Sequence, residues 1–152
     1  MSIDGHGDET IRRLLTTTRR IALVGASPKP WRASYGVMRF LLEHGFDVTP
    51  VNPLLEGETL HGRTVVARLE DAAPLEMVDL FRNTSHAGAL VDDAIRLHAT
   101  AIWMQLGVID RDAAARARAA GMTVVMDRCP VIEDRRLHLF GPPGPGTKPV
   151  SH

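Results

Sequence analysis

The sequence predicts a single α/β domain built on a doubly wound, mainly parallel sheet of five strands, with helices on both faces. Short apolar runs alternate five times with segments of helical spacing, a pattern typical of parallel sheets. The runs are apolar at consecutive positions rather than at every second one, which indicates strands buried on both faces. At 152 residues the chain is long enough to bury one core.

The predicted strands are short and end at turn residues. They cover 21–24, 46–51, 77–81, 101–104 and 122–126, and a brief extended piece is expected at 64–66. Helices are predicted over 9–18, 34–44, 85–98 and 111–120, the first of them capped by Asp8. We expect residues 1–9 to be flexible, 10–138 to form the domain, and the proline- and glycine-rich segment 141–152 to be disordered.

Charge and composition exclude several classes of protein. Eighteen basic residues balance eighteen acidic ones, so no net field attracts nucleic acid or an anionic membrane. No secretory signal and no apolar run of membrane-spanning length is seen, and a cytoplasmic location is expected. The single cysteine excludes an internal disulfide, and the histidines lack metal-ligand spacing, so we expect no metal. No catalytic constellation such as a nucleophile elbow is evident, and no catalytic residue is predicted.

The most informative segment is the loop Gly25-Ala26-Ser27 after the first strand. Glycine lets the backbone approach a diphosphate, and the N–H groups of the following helix point toward it, so the loop favours phosphate binding. Ser27 adds a hydroxyl group, and Lys29 and Arg32 add positive charge. The G-x-G-x-x-G motif is absent, so the loop does not indicate NAD in particular. A plain strand-to-helix turn is the structural alternative.

Two further strand ends carry polar residues suited to a nucleotide. Asn52 and Pro53 stand where NAD-binding domains usually place an acidic residue against the ribose hydroxyls. A neutral side chain tolerates a phosphate on the ribose, so NADP and coenzyme A both fit, although Asn-Pro is also a common turn. Arg82 follows the third strand and is suited to a phosphate or to a nearby acid. Gln105, after the fourth, suits an amide, the adenine edge or its own loop.

Cys129 follows the fifth strand and is the one thiol of the chain. Its neighbour Arg128 carries a positive charge of the kind that favours a reactive thiolate. A lone cysteine also serves as a small buried hydrophobic residue, and both interpretations stay open at this point.

Segments from five places, in this order and spacing, carry a family resemblance. They are 21–28 with 34–37, 51–53, 78–82, 101–108 and 124–130, and together they extend over about residues 10–137. They resemble the stand-alone bacterial CoA-binding domain proteins, which are similar to the N-terminal domain of the succinyl-CoA synthetase alpha subunit.

The resemblance implies a Rossmann-type sheet that binds coenzyme A, with the diphosphate at Gly25 to Ser27 and the nucleotide along 51–53 and Arg82. In this family Phe-Arg is commonly followed by a second basic residue, whereas this chain has Asn83. The synthetase uses a phosphohistidine from a second domain, which has no counterpart in this sequence, so ligase activity is not implied. The stand-alone proteins have no agreed reaction that could be transferred.

The leading hypothesis is therefore a CoA-binding module that holds coenzyme A or an acyl-CoA. Its expected cofactor-binding residues are Gly25, Ala26, Ser27, Lys29, Arg32, Asn52, Pro53 and Arg82. One alternative is an NADP-dependent reductase or redox sensor, and another is a thiol-linked CoA sensor that uses Cys129. The expected partner is a small nucleotide cofactor, and both a homodimer and a complex with another protein stay open.

Overall fold

The computed structural model of the protein describes residues 7–82 and 84–141. The helices are α1 (Asp8–Thr17), α2 (Ala33–Glu43), α3 (Thr84–Arg96), α4 (Arg111–Ala119) and α5 (Pro130–Leu137). The strands are β1 (Arg20–Val24), β2 (Asp47–Val51), β3 (Thr59–Leu60), β4 (Arg63–Thr64), β5 (Met77–Leu80), β6 (Ala101–Met104) and β7 (Thr123–Val125). No helix in the described part of the chain is long and apolar enough to cross a membrane.

The main sheet has five strands in the order β2-β1-β5-β6-β7, and every neighbouring pair is parallel. Strands β3 and β4 form a separate antiparallel pair. Because β1 lies between β2 and β5, the chain leaves β1 toward one side and later returns to its other side. A crevice opens at such a switch point, beyond the carboxyl ends of the strands. The predicted doubly wound, five-stranded parallel sheet is confirmed.

Each strand of the main sheet buries residues on both of its faces. In β1, Ile21 and Leu23 pack in one core while Ala22 and Val24 pack in the other. The first core includes residues of α1, α2 and α5, and the second includes residues of α3 and α4. The sheet is thus covered on both sides, which explains why its strands are continuous apolar runs in the sequence.

Three local predictions need correction. The N-cap of α1 is Gly7, not Asp8, and Asp8 and Glu9 form the first helical turn rather than a flexible start. The extended piece expected at 64–66 is divided: β4 ends at Thr64, and Val66 forms an isolated bridge with Val51. Helix α5 was not predicted at all. The expected flexibility of residues 1–6 and disorder of 142–152 concern segments outside the described residues.

One ionisable side chain lies inside the sheet. Asp79, in the middle of β5, is only 1% exposed and is flanked by Leu23 on β1 and Trp103 on β6. Neither carboxyl oxygen has a hydrogen-bond partner in the described part of the structure. Burial raises the pKa of Asp79 well above its usual range, because a charge is poorly solvated there. The folded state therefore binds this proton more tightly than the unfolded chain does.

This proton makes stability depend on pH. As the pH rises above the usual pKa of aspartate, the unfolded chain loses the proton first, so the free energy of unfolding should fall until the folded pKa is passed. One such group contributes at most about 1.4 kcal/mol per pH unit. Urea denaturation between pH 4 and 8 should show this fall in the wild type and a flatter dependence in Asp79→Asn. The exposed Asp112→Asn variant is the control, and equal pH profiles for Asp79→Asn and wild type would contradict the assignment.

Candidate functional site

Gly25 forms the floor of the crevice between β1 and β5. It follows β1 with a φ of 92°, in the left-handed region that favours glycine. A Cβ atom added here would lie 3.2 Å from Cδ of Arg82 and 3.2 Å from Cβ of Phe81. The loop thus lies so close to the end of β5 that a side chain would not fit without a shift of its neighbours. Its backbone conformation also favours glycine.

The backbone of this loop is tied to β2. The N–H groups of Gly25 and Ala26 both donate to the carbonyl oxygen of Val51, at 3.0 and 3.4 Å. These two amides therefore have acceptors within the protein. The N–H of Ser27 has no acceptor among the described residues, and the Ser27 Oγ accepts a hydrogen bond from the Lys29 N–H at 3.2 Å. Since that hydroxyl acts as an acceptor, its own hydrogen is available to a ligand.

Helix α2 begins directly behind the loop. Its N-cap, Arg32, has extended backbone geometry and makes no side-chain capping hydrogen bond. The first N–H groups of a helix have no acceptor within the helix and carry partial positive charge, which suits an anion. The first N–H groups of α2 and the N–H and hydroxyl groups of Ser27 are therefore all donors suited to the same anionic ligand.

Asn52 holds two loops together. Its Nδ2 donates to the carbonyl oxygen of Ala26 at 2.8 Å, and its Oδ1 accepts from the Leu54 N–H at 2.9 Å. The second bond caps a short 3-10 helix, Pro53–Leu55, in which Pro53 is exposed. Asn52 is therefore a positioning residue for the loop after β1, and its contact with a ribose phosphate stays a prediction.

Positive charge near the crevice is not neutralised within the described residues. Lys29, Arg32 and Arg82 have no carboxylate within 4.0 Å in that part of the chain, and the Lys29 Nζ lies 5.9 Å from the ring centroid of Trp31, which is 76% exposed. Other arginines do form ion pairs, namely Arg20, Arg63, Arg68, Arg96, Arg116, Arg128 and Arg136. The crevice is thus bordered by three cations suited to anionic groups.

A cavity of about 840 Å³ lies beside the crevice, between α2 and α5. We call it the α2–α5 groove. Phe81, which packs against Gly25, forms part of its wall, and so do Gln105 and Cys129. Gln105 is 3% exposed, and its Oε1 has no hydrogen-bond partner among the described residues. The groove therefore offers a buried acceptor next to the predicted phosphate site.

Cys129 is the N-cap of α5 and is 7% exposed. The sequence argument for a reactive thiolate relied on Arg128, but the Nη1 of Arg128 lies 3.1 Å from Oε1 of Glu133, and both side chains are largely buried. The charge of Arg128 is thus balanced by Glu133 rather than directed to the thiol. Cys129 nevertheless lies in the wall of the groove, so its location still allows contact with a ligand there.

His44 also lines the groove and was not singled out in the sequence. It is 2% exposed, its Nδ1 has no partner among the described residues, and its ring stacks on Phe140 with centroids 5.1 Å apart. Burial lowers the pKa of His44, an effect that the charges of Asp134 and Glu43 oppose. The sequence feature that could have indicated a buried His44 is its position on the apolar side of the predicted helix 34–44.

Comparison with known protein families identifies one family whose matched residues include this site. A model of the family described as CoA binding domain matches residues 19–135. The chain belongs to the CoA binding domain family. The match begins next to β1 and ends within α5, so it includes both the crevice and the groove. YneT of Bacillus subtilis, named as an uncharacterized protein, is 30% identical over 119 residues, which are 78% of this chain and 87% of YneT.

Two solved structures show where this fold occurs. A hypothetical protein from Pyrococcus horikoshii OT3 is 43% identical and has a TM-score of 0.85, with 91% of this chain and 96% of that chain covered. The dinucleotide forming acetyl-coenzyme A synthetase 1 of Ca. Korarchaeum cryptofilum, in complex with phosphate and ADP, is 22% identical with a TM-score of 0.64. The match covers 75% of this chain but 26% of the synthetase, and it shows the fold alone.

The close approach of Gly25 to the end of β5 should be detectable in the free energy of unfolding of glycine-to-alanine variants. Gly57 has a similar φ of 85° but open space where a Cβ would be, so Gly57→Ala should lower the free energy of unfolding only by the backbone strain, about 1–2 kcal/mol. Gly25→Ala adds contact with the end of β5 and should lose about 1–3 kcal/mol more. Urea denaturation of both variants compares them, and equal losses would show that the approach to Phe81 and Arg82 is not constraining.

Proposed function

We propose that the protein binds coenzyme A in the crevice between β1 and β5, with the diphosphate beside Ser27 and the N-terminus of α2. The observation that carries the proposal is the left-handed Gly25 at the switch point of the sheet, in a chain of the CoA binding domain family. Gly25 and Ala26 shape the loop, since their N–H groups are engaged by Val51. Ser27 and the first N–H groups of α2 then donate to the phosphate oxygens, with Lys29 and Arg32 as counter-charges.

The ribose phosphate is assigned to the side of β2. Asn52 and Pro53 follow that strand, and neither repels a phosphate as a carboxylate would. Arg82 follows β5, and its Cδ lies next to Gly25 at the end of β1, the strand that neighbours β2. NADP carries comparable groups, and the family is what favours coenzyme A over it. We propose binding, and no reaction of the protein's own, as the function of this site.

Isothermal titration calorimetry tests the proposal with coenzyme A, 3′-dephospho-coenzyme A and NADPH. Coenzyme A should bind most tightly, because hydrogen bonds to charged groups contribute about 1.5–3 kcal/mol, or roughly 10- to 100-fold in affinity. Arg82→Ala should weaken the binding of coenzyme A by about tenfold or more. Arg13→Ala removes an equal charge from the exposed face of α1 and should change the affinity less than about twofold. Binding of NADPH without binding of coenzyme A would refute the proposal.

A second candidate function follows from the place of Cys129. Phe81 packs against Gly25 and lines the same groove as Cys129, so this groove adjoins the place where a coenzyme with its diphosphate beside Ser27 would extend its pantetheine arm. We propose that the Cys129 thiolate attacks the disulfide of oxidised coenzyme A. A mixed disulfide between Cys129 and one coenzyme forms, and the second coenzyme leaves as its thiolate. The protein would then be a thiol-linked sensor or store of coenzyme A.

Intact mass spectrometry tests this step after incubation with oxidised coenzyme A. One coenzyme should add to the wild-type chain and none to Cys129→Ser, and dithiothreitol should remove the adduct. Because the thiol is buried, reaction with oxidised coenzyme A should exceed reaction with oxidised glutathione, which has no nucleotide to bind the crevice. No adduct, or equal labelling by the two disulfides, would contradict the thiol-linked function.

A further inference from the structure

The α2–α5 groove extends along the whole length of α2, away from the proposed nucleotide site. Helix α2 runs from the carboxyl edge of the sheet back along one face, and groove-lining residues extend from Ala33 at its start to His44 just beyond its end. At a rise of 1.5 Å per residue this path is about 16 Å long. Volumes of about 300–1,000 Å³ are typical of small-molecule sites, and the cavity of about 840 Å³ falls in that range.

Although Arg39, Glu43, Asp134 and Arg135 also line the groove, most of its wall residues are apolar. They include Val37, Phe40, Phe81, Leu106, Val131 and Ile132. Leu106 and Ile132 are among the large hydrophobic side chains that the protein leaves exposed, and both lie here. Exposed apolar side chains that line a cavity of this size are suited to contact with an apolar ligand.

A buried acceptor lies where the groove meets the carboxyl edge of the sheet, which we call the mouth of the groove. Gln105 follows β6 at the carboxyl edge, and its Oε1 lacks a partner among the described residues although its side chain is almost wholly buried. Buried polar atoms in folded proteins nearly always have a hydrogen-bond partner, because an unpaired one is costly. The atom is therefore suited to a ligand that presents one N–H donor at the mouth and apolar groups beyond it.

We propose that the groove binds the acyl chain of a medium-chain acyl-CoA thioester, with an amide N–H of the coenzyme's pantetheine arm donating to Gln105 Oε1. The inference rests on the proposed function, since the diphosphate beside Ser27 fixes where that arm enters. Phe81 connects the two sites, because it packs against Gly25 and also lines the groove. The acyl chain lies along α2, over Val37 and toward Phe40.

Gly36 provides a variant that closes the groove without disturbing the fold. It lies within α2, lines the groove, and has no atom within 4 Å of the position of an added Cβ. Replacement of a glycine inside a helix also favours the helix. Gly36→Leu therefore fills the groove, and Gly36→Ala, which gains the same helix propensity but little volume, is the matched control.

Calorimetric titration with coenzyme A, acetyl-CoA and hexanoyl-CoA tests the inference. The wild type and Gly36→Ala should bind hexanoyl-CoA at least tenfold more tightly than acetyl-CoA, since each buried methylene contributes up to about fourfold. Gly36→Leu should lose this difference and bind coenzyme A within about threefold of the wild type. Gln105→Met should weaken all three ligands, and its melting temperature should equal or exceed that of the wild type.

Other outcomes overturn the inference in distinguishable ways. Equal affinity of the wild type for acetyl-CoA and hexanoyl-CoA, with coenzyme A still bound, would refute the acyl site and leave the proposed function standing. No binding of any of the three ligands would refute both. If native mass spectrometry shows a dimer that Gly36→Leu dissociates, with no effect of acyl length, the groove is occupied by a second copy of the chain and the inference is wrong. Unchanged affinity of Gln105→Met would refute the assigned hydrogen bond.

Discussion

The contact between Gly25 and the end of β5 is the constraint on which the rest of the site depends. It places the loop after β1 against Phe81 and Arg82, in a backbone conformation that glycine adopts without strain. Two ties to the next strand fix the loop there: the Val51 carbonyl accepts its first N–H groups, and Asn52 binds the Ala26 carbonyl. The crevice at the switch point is thus held by backbone and amide hydrogen bonds, which leaves its hydroxyl and charged side chains available to a ligand.

The carboxyl edge of the sheet has two different environments side by side. Around the crevice, Lys29, Arg32 and Arg82 carry positive charge that no carboxylate of the described residues balances within ion-pair distance. In the adjoining groove most wall residues are apolar, although Arg39, Glu43, Asp134 and Arg135 also line it, and Gln105 supplies a buried acceptor. A ligand with phosphates at one end and an uncharged arm at the other matches this division, and coenzyme A with its acyl esters has that chemistry.

How far the sequence predicts this structure depends on how local each feature is. The strands and the glycine turn are encoded in short runs, such as Ile21 to Val24 before Gly25, and they are confirmed. The role of Asn52 depends on a contact with Ala26, 26 residues away, and the buried Asp79 depends on which strands become its neighbours. Helix α5 is short and begins with Pro130, a residue type that is frequent in loops, although proline at the first helical position is also common. Because one wall of the groove is α5, the groove could not be predicted either.

A crystal structure of the protein with coenzyme A tests the central claim most directly. The account predicts the diphosphate within hydrogen-bond distance of Ser27 and the first N–H groups of α2, the ribose phosphate beside Arg82 and Pro53, and the pantetheine arm directed toward Gln105. A coenzyme bound with its diphosphate away from the loop after β1, or bound only on the opposite face of the sheet against α3 and α4, would contradict it.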